Sequence, residues 1–307
     1  MKAVTIENLH KTYEKGTVQA LQGINFEVDE GELFGIIGPD GAGKTTLFRV
    51  LTTLMLPDSG IATVSGLDVV KDFWAIRKIV GYMPGKFSLY QDLSIEENLN
   101  FFATVFDTTV AANYHLIEDI YVQIEPFKKR LAGKLSGGMK QKLALCCALI
   151  HQPKVLFLDE PTTGVDPVSR KEFWDMLDRL KEKGITILVS TPYMDEASRC
   201  ERIALMQDGQ LMELDTLPNI LKKHPQHLYS VRSNQMHQLL HDLRSYSHIK
   251  SAFAFGDEHH AVLQEGQNRP EMLQQFLVQK GHLELQIGSI NPEIEDVFIQ
   301  LMQEQNG

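Results

Sequence analysis

The segment Gly38-Pro39-Asp40-Gly41-Ala42-Gly43-Lys44-Thr45-Thr46 constrains the fold of this chain more than any other. It fits the pattern G-x-x-x-x-G-K-[ST], in which a glycine-rich loop closes around phosphate. The apolar run Leu33-Phe34-Gly35-Ile36-Ile37 precedes it and reads as a buried strand, and Thr46 to Leu51 reads as the opening of a helix. Glycines let backbone N–H groups approach an anion, and a helix N-terminus favours negative charge. A chance match in a chain of this length is on the order of one in a hundred from average composition. The strand–loop–helix setting makes chance less adequate still. An α/β fold is expected, with Gly38, Gly41, Ala42, Gly43, Lys44, Thr45 and Thr46 around a nucleoside triphosphate. Lys44 would reach its β- and γ-phosphates, and the Thr45 hydroxyl would sit on Mg²⁺.

The 307 residues allow one large domain and a small one, and a 43% hydrophobic content supplies a core. A formal charge of −10 argues against a nucleic-acid surface, so no nucleic-acid partner is expected. The three cysteines, Cys146, Cys147 and Cys200, are too few for a disulfide framework and read as buried, reduced thiols. Met1-Lys2-Ala3-Val4-Thr5 shows no apolar signal region, and no apolar run approaches the ~18 residues of a membrane span. These features imply a soluble cytosolic protein, or one held to a membrane by a partner.

Val4 to Val28 reads as short strands broken at Glu14-Lys15-Gly16 and Gln22-Gly23. Ser94 to about Phe106 reads as a helix opened by a capping box of Ser94 and Glu97. More helix is expected to about Lys128 and again from Gly137 to Ile150. Strand-like runs at Lys154–Leu158 and Ile185–Ser190 flank an amphipathic helix from Ser169 to Lys183, closed by Gly184. This alternation implies parallel strands with helical crossovers. A domain boundary is expected near Leu214 to Pro218. Beyond it the composition shifts: eight of the eleven histidines lie in residues 219–307.

Two further motifs carry chemistry. Val155-Leu156-Phe157-Leu158-Asp159-Glu160 is an apolar strand ending in two acids. Asp159 would hold Mg²⁺ and Glu160 would orient and deprotonate a water. By itself this is an ordinary strand end at a turn. Leu135-Ser136-Gly137-Gly138-Met139-Lys140-Gln141 opens a helix, a second anion-favouring N-terminus. Alone, it would be a flexible loop before a capped helix.

In this order and spacing, the phosphate loop, LSGGMKQ and VLFLDEP resemble the nucleotide-binding subunit of an ABC transporter, over about residues 2–215. The resemblance implies a P-loop ABC ATPase core with a mixed sheet at residues 1–217. It also implies a helical subdomain at about 94–150; residues 218–307, beyond it, are long enough for a small α+β accessory domain. ATP and Mg²⁺ would be bound between two head-to-tail nucleotide-binding domains, as a homodimer or heterodimer. Lys44 and Glu160 would act in one chain's site, while Ser136, Gly137 and Gly138 would complete the partner's. Tyr13 would stack on adenine, and Thr163-Gly164-Val165-Asp166-Pro167 would contact the second subunit. Transmembrane permease subunits would be the other partners, which puts the chain at the inner face of the cell membrane. Tyr193-Met194-Asp195-Glu196-Ala197 and the tail from Ile290 to Phe298 resemble ABC-2-type exporters. Phe87, Leu89 and Tyr90 stand where the family docks a helix of the membrane subunit, or pack inside the helical subdomain.

Two positions depart from the family. Gly85 stands where a Gln usually touches Mg²⁺ and the attacking water, and glycine has no side-chain oxygen. Gln91 is six residues away, a poor register for a substitute. Pro192 stands where a His usually contacts the γ-phosphate, and it has neither side-chain donor nor N–H. A slow site paired with a competent one on another subunit is therefore expected. The alternatives are a non-hydrolysing regulatory subunit that uses ATP as dimer glue, and a soluble ABC ATPase outside transport. His237 and His241, four apart, lack a third ligand at metal-site spacing and are expected on a solvated helix face.

Overall fold

The computed structural model describes residues 1–306 apart from Pro225, Gln226, Glu265, Gln267 and Asn268, and all of their side chains except those of Lys15, Gln305 and Asn306. The chain divides into two compact units, Met1–Leu217 and Pro218–Gly307.

The first unit opens with β1 (Lys2–Tyr13) and β2 (Val18–Asp29), paired antiparallel. These are two long strands, not the several short ones expected. Gln22-Gly23 is no turn: Gly23 takes φ +71° inside β2, and the register with β1 skips it. A bulge thus absorbs what the sequence presents as a break. Then come β3 (Leu33–Ile37), α1 (Lys44–Leu51), β4 (Ser59–Val64), β5 (Leu67–Asp68), α2 (Phe73–Ile79) and β6 (Val80–Met83). Helices α3 (Ile95–Val105), α4 (Tyr114–Tyr121) and α5 (Gly137–Leu149) intervene before β7 (Val155–Asp159). The unit closes with α6 (Pro167–Glu182), β8 (Thr186–Thr191), β9 (Arg202–Gln207) and β10 (Gln210–Asp215).

Local chemistry sets several boundaries. Both halves of the Ser94–Glu97 capping box are formed at α3. Helix α6 starts two residues before Ser169, because Asp166 caps it and Pro167 suits the first helical position. The helix expected to continue to about Lys128 stops at Tyr121, and a 3-10 turn at Glu125–Phe127 contains Pro126.

The strands form an antiparallel sheet, β2-β1-β4-β5, and a six-stranded sheet, β10-β9-β3-β8-β7-β6. The latter is parallel from β9 to β6, with β10 antiparallel at its edge. Every residue of β3 and β7 is buried, as expected for strands covered on both faces. On one face Phe34, Ile36, Phe157 and Leu188 pack with Leu47 and Phe48 of α1 and with the antiparallel sheet. On the other, Leu156, Leu158 and Val189 pack with Leu143 of α5 and Trp174 and Leu177 of α6. Helix α1 is thereby held between two sheets, and its N-terminus meets the carboxyl ends of β3, β7 and β8, where ligands bind in such sheets.

The second unit begins within α7 (Leu217–Lys223). It continues through β11 (Leu228–Arg232), α8 (Met236–Ser245), β12 (Ile249–Phe255), β13 (Glu258–Leu263), α9 (Pro270–Gln279), β14 (Gln286–Ile290) and α10 (Ile294–Asn306). The antiparallel order β12-β13-β11-β14 makes a ferredoxin-like βαββαβ arrangement. Leu239, Leu243, Leu273 and Leu277 pack on Tyr229, Val231, Ala261 and Leu263. The buried His260 Nδ1 lies 2.6 Å from Asp296 Oδ1, tying α10 to β13. His237 and His241 are both exposed on α8. No helix among the described residues is long and apolar enough to cross a membrane.

Candidate nucleotide site

The glycine-rich loop links β3 to α1 and borders a cleft of about 620 Å³. Gly41 and Gly43 take φ +84° and +102°, which glycine adopts at little cost and which turns the backbone towards the cleft. A Cβ on Gly43 would also collide with the Ala20 carbonyl. The buried Lys44 Nζ donates to its own loop, at 2.7 Å to Gly38 O and 2.9 Å to Pro39 O. It also pairs with Glu160 Oε1 at 3.2 Å.

The two acids at the end of β7 are held differently. Asp159 is buried, and its Oδ1 accepts from Thr45 Oγ1 at 3.1 Å and from Ser190 Oγ at 2.6 Å. On the neighbouring β6, the Tyr82 hydroxyl also faces Asp159; burial, with the Asp159 charge adding to it, pushes that phenol up to about 12. Glu160 is strained, at φ +49° without being glycine. Its N–H is held by Ser190 O at 3.0 Å and Ser190 Oγ at 3.1 Å. Thr45 and Asp159 thus present hard oxygen atoms side by side at the loop, a donor set that fits Mg²⁺ shared with a phosphate. Lys44, the loop backbone and the α1 N-terminus fit the phosphates themselves.

Tyr13 lines the cleft, and its hydroxyl is tethered to Thr46 Oγ1 and Met55 Sδ, each at 3.1 Å. The strand end carrying it is anchored by Asp58, which accepts from Lys11, from the Thr12 hydroxyl and from the Thr12 N–H; together they hold its carboxyl down at about 2. Sequence reasoning missed the Asp208-Gly209 turn between β9 and β10. Gly209 donates to Ala42 O at 3.1 Å and accepts from Gln22 N at 2.8 Å, bracing the phosphate loop from behind. The Asp-Gly dipeptide was the available signal, since it favours the positive φ that both residues take in this hairpin turn.

Ser136, Gly137 and Gly138 do not line this cleft. Ser136 is exposed and caps α5, accepting from Met139 N at 3.4 Å. A Cβ on Gly137 would meet Gly164 O at 3.7 Å, and one on Gly138 would meet Ser169 Oγ at 3.0 Å. The glycine-rich start of α5 and the Thr163–Pro167 segment therefore form one surface, apart from Lys44.

Gly85 lies where a Cβ would come within 3.0 Å of Asp159 O and 3.7 Å of Glu160 Cβ, beside the acids. Gln91 is elsewhere: its carbonyl accepts from Gly133 N at 3.0 Å. Pro192 follows Thr191, whose carbonyl accepts from Gly38 N at 3.2 Å. Below it the buried Glu196 collects the Thr162 and Thr191 hydroxyls and pairs with Arg170 at 3.2 Å. Arg170 also lies over the Tyr193 ring, 4.4 Å from its centroid.

The aromatic segment after Gly85 divides. Leu89 is buried, Phe87 packs against the helical core, and Tyr90 is half exposed, edge-on to Phe101. Between α2, β6, α3 and α5 runs an apolar groove of about 580 Å³, lined by Trp74, Tyr82, Leu89, Phe102, Val105 and His151 among others.

The family profile described as ABC transporter matches residues 21–163. The chain is 46% identical over 211 residues to the probable multidrug ABC transporter ATP-binding protein YbhF of Escherichia coli (strain K12), covering 68% of this chain and 36% of that protein. It is 38% identical over 210 residues to the doxorubicin resistance ATP-binding protein DrrA of Mycobacterium tuberculosis, covering 67% of this chain and 63% of that one. It is 37% identical over 210 residues to the Nod factor export ATP-binding protein I of Burkholderia lata, covering 67% and 68%. The matched part thus spans about a third of YbhF and under two thirds of DrrA. Among solved structures, the dimeric post-hydrolysis state of the ATP-binding cassette MJ0796 with ADP and phosphate superposes with a TM-score of 0.64 at 26% identity, covering 70% of this chain and 98% of that one.

Proposed function

This chain belongs to the ABC transporter family of ATP-binding proteins, and from that premise we propose that it binds ATP with Mg²⁺ and hydrolyses it slowly to drive export through separate membrane subunits. The observation that carries this reading is the convergence of Lys44, Thr45 and Glu160 on the cleft, with the buried Asp159 bonded to Thr45 behind them. Bound Mg²⁺ would neutralise charge on the phosphates. Thr45 and Asp159 would hold it, and Lys44 would exchange its loop carbonyls for phosphate oxygens. Glu160 would orient a water and accept its proton. Tyr13, Gly38, Gly41, Ala42, Gly43 and Thr46 would line the nucleotide.

Ser136, Gly137 and Gly138 would close the site of a second nucleotide-binding domain. Their position on a surface apart from the chain's own cleft supports this reading. Gly85, beside the acids, and Pro192, just after β8, offer the site no side-chain donor, which favours a partner domain with a faster site. Removing one donor aimed at developing charge costs roughly 2.7–4 kcal/mol in other enzymes. The apolar groove, with Trp74 68% exposed and Val105 57% exposed, suits a helix of the membrane subunit. The chain would then sit at the cytoplasmic face of the membrane. The names of its relatives, which speak of multidrug transport, doxorubicin resistance and Nod factor export, favour a drug-like or Nod-factor-like cargo.

Steady-state ATP hydrolysis by the purified chain, alone and with its membrane partner, tests this reading. Slow turnover that Glu160→Gln abolishes and Pro192→His accelerates is expected. Fast turnover unchanged by Pro192→His would sink the slow-site assignment. ATP binding without any turnover in either setting would favour a regulatory subunit.

A further inference from the structure

We propose that Ser190 is a positioning residue that fixes both acids of the site through one hydroxyl; the proposal rests on the nucleotide reading above. Ser190 is fully buried at the end of β8, directly opposite Asp159 in the parallel ladder. A hydroxyl has one proton to give, and an ionised carboxylate only accepts. The 2.6 Å contact therefore sends the Ser190 proton to Asp159 Oδ1. The lone pairs left on Oγ accept the Glu160 N–H at 3.1 Å. Glu160 N–H, Ser190 O–H and Asp159 carboxylate thus form one directional chain, each bond strengthening the next in a low-dielectric interior.

Each end of that chain has a purpose. Asp159 needs a fixed carboxylate to meet a metal that tolerates little error in geometry. Thr45 also contacts Oδ1, at 3.1 Å, but its hydroxyl is itself a metal donor in the proposed site. Ser190 is the shorter contact and is not itself a proposed metal donor. At the other end, Glu160 occupies the left-handed region, and such a backbone persists only where its surroundings over-determine it. Ser190 grips that N–H with both its carbonyl and its side chain. Alanine would leave the carbonyl, free Asp159 from its closest donor, and alter the packing by one oxygen atom.

The test compares the full-length wild type, Ser190→Ala and Ser190→Thr, each checked for an unchanged melting transition. ATP affinity in EDTA reports the phosphate loop alone and is expected to agree within about twofold among the three. Adding Mg²⁺ then separates them. Ser190→Ala needs about tenfold more Mg²⁺ for half-maximal ATP binding, the scale of one lost hydrogen bond to a charged group. Its single-turnover rate at saturating Mg²⁺ falls about tenfold as well, and Ser190→Thr recovers most of both. A merely structural serine would weaken binding with and without Mg²⁺ alike, which overturns the proposal. An unchanged Mg²⁺ requirement in a folded Ser190→Ala overturns it too. A shifted Mg²⁺ requirement at full turnover rate overturns the Glu160 half. A wild type that binds no ATP in EDTA or Mg²⁺ refutes the nucleotide reading itself.

Discussion

Lys44 Nζ stands 3.2 Å from Glu160 Oε1, so the cation proposed for phosphate and the carboxylate proposed for water are paired with each other. Phosphate must compete with that carboxylate and with Gly38 O and Pro39 O for the ammonium group. Glu160→Gln removes the charged competitor. ATP affinity is expected to rise a fewfold while turnover falls at least about 100-fold, the usual scale for a lost general base. Lys44→Ala should instead lose affinity by at least about tenfold. Equilibrium ATP binding alongside turnover separates the two effects.

Gly85 and Pro192 should respond differently to repair. The Thr191 carbonyl next to Pro192 bonds the first glycine of the phosphate loop, so a histidine there has a short path to the site. Pro192→His is expected to raise turnover by up to about 100-fold. At Gly85 any Cβ sits 3.0 Å from Asp159 O, tighter than ordinary contact. Gly85→Gln alone should give little gain and lower the melting temperature by a few degrees, on the order of a 1 kcal/mol loss. Turnover and thermal melts of both variants check this.

The three thiols should be inert in the folded protein. Cys146 and Cys147 are buried in α5, and burial pushes both thiols well above the ordinary cysteine value. Cys200 is only half-buried, not buried as expected, but its sulfur is set against Gly35 and desolvation raises its thiol too. Titration with a thiol reagent at pH 8 is expected to detect no rapid equivalent in native protein and three after unfolding. Fast labelling without loss of structure would contradict this packing.

His151 supplies a pH signature. A ring nitrogen beside the Val80 carbonyl must donate, so Nε2 carries the proton at 2.9 Å and Nδ1 is left buried without a partner. Burial lowers the pKa, and the ring stacks on Phe106 with centroids 3.8 Å apart. The unfolded chain takes up a proton near pH 6.5 that the folded chain refuses. This contribution to stability is therefore full above that pH and declines as pH falls through it. Urea melts from pH 8 to 5 should show a smaller decline for His151→Phe, which keeps the stack.

How much of the site could be read from sequence follows from how local each contact is. The phosphate loop and the capping box are set by neighbours along the chain, so spacing exposes them, while the acids at the end of β7 stand out only in order with the other motifs. Ser190 and the Asp208-Gly209 brace are joined to the site across strands, and a lone serine has no pattern to display. The same limit explains β2: Gly23 looks like a turn locally, but pairing with β1 carries the strand through it. It also divides Phe87, Leu89 and Tyr90, whose burial depends on helices far along the chain.

The surface formed by the start of α5 and the Thr163–Pro167 segment does not share its residues with the Lys44 cleft. The two can consequently change independently over evolutionary time. If the chain works in the head-to-tail pair proposed above, substitutions such as Gly85 or Pro192 would erode its own hydrolysis without touching what it presents to a neighbour. Selection to complete that neighbour's site would then suffice to preserve Ser136 and the glycines after it.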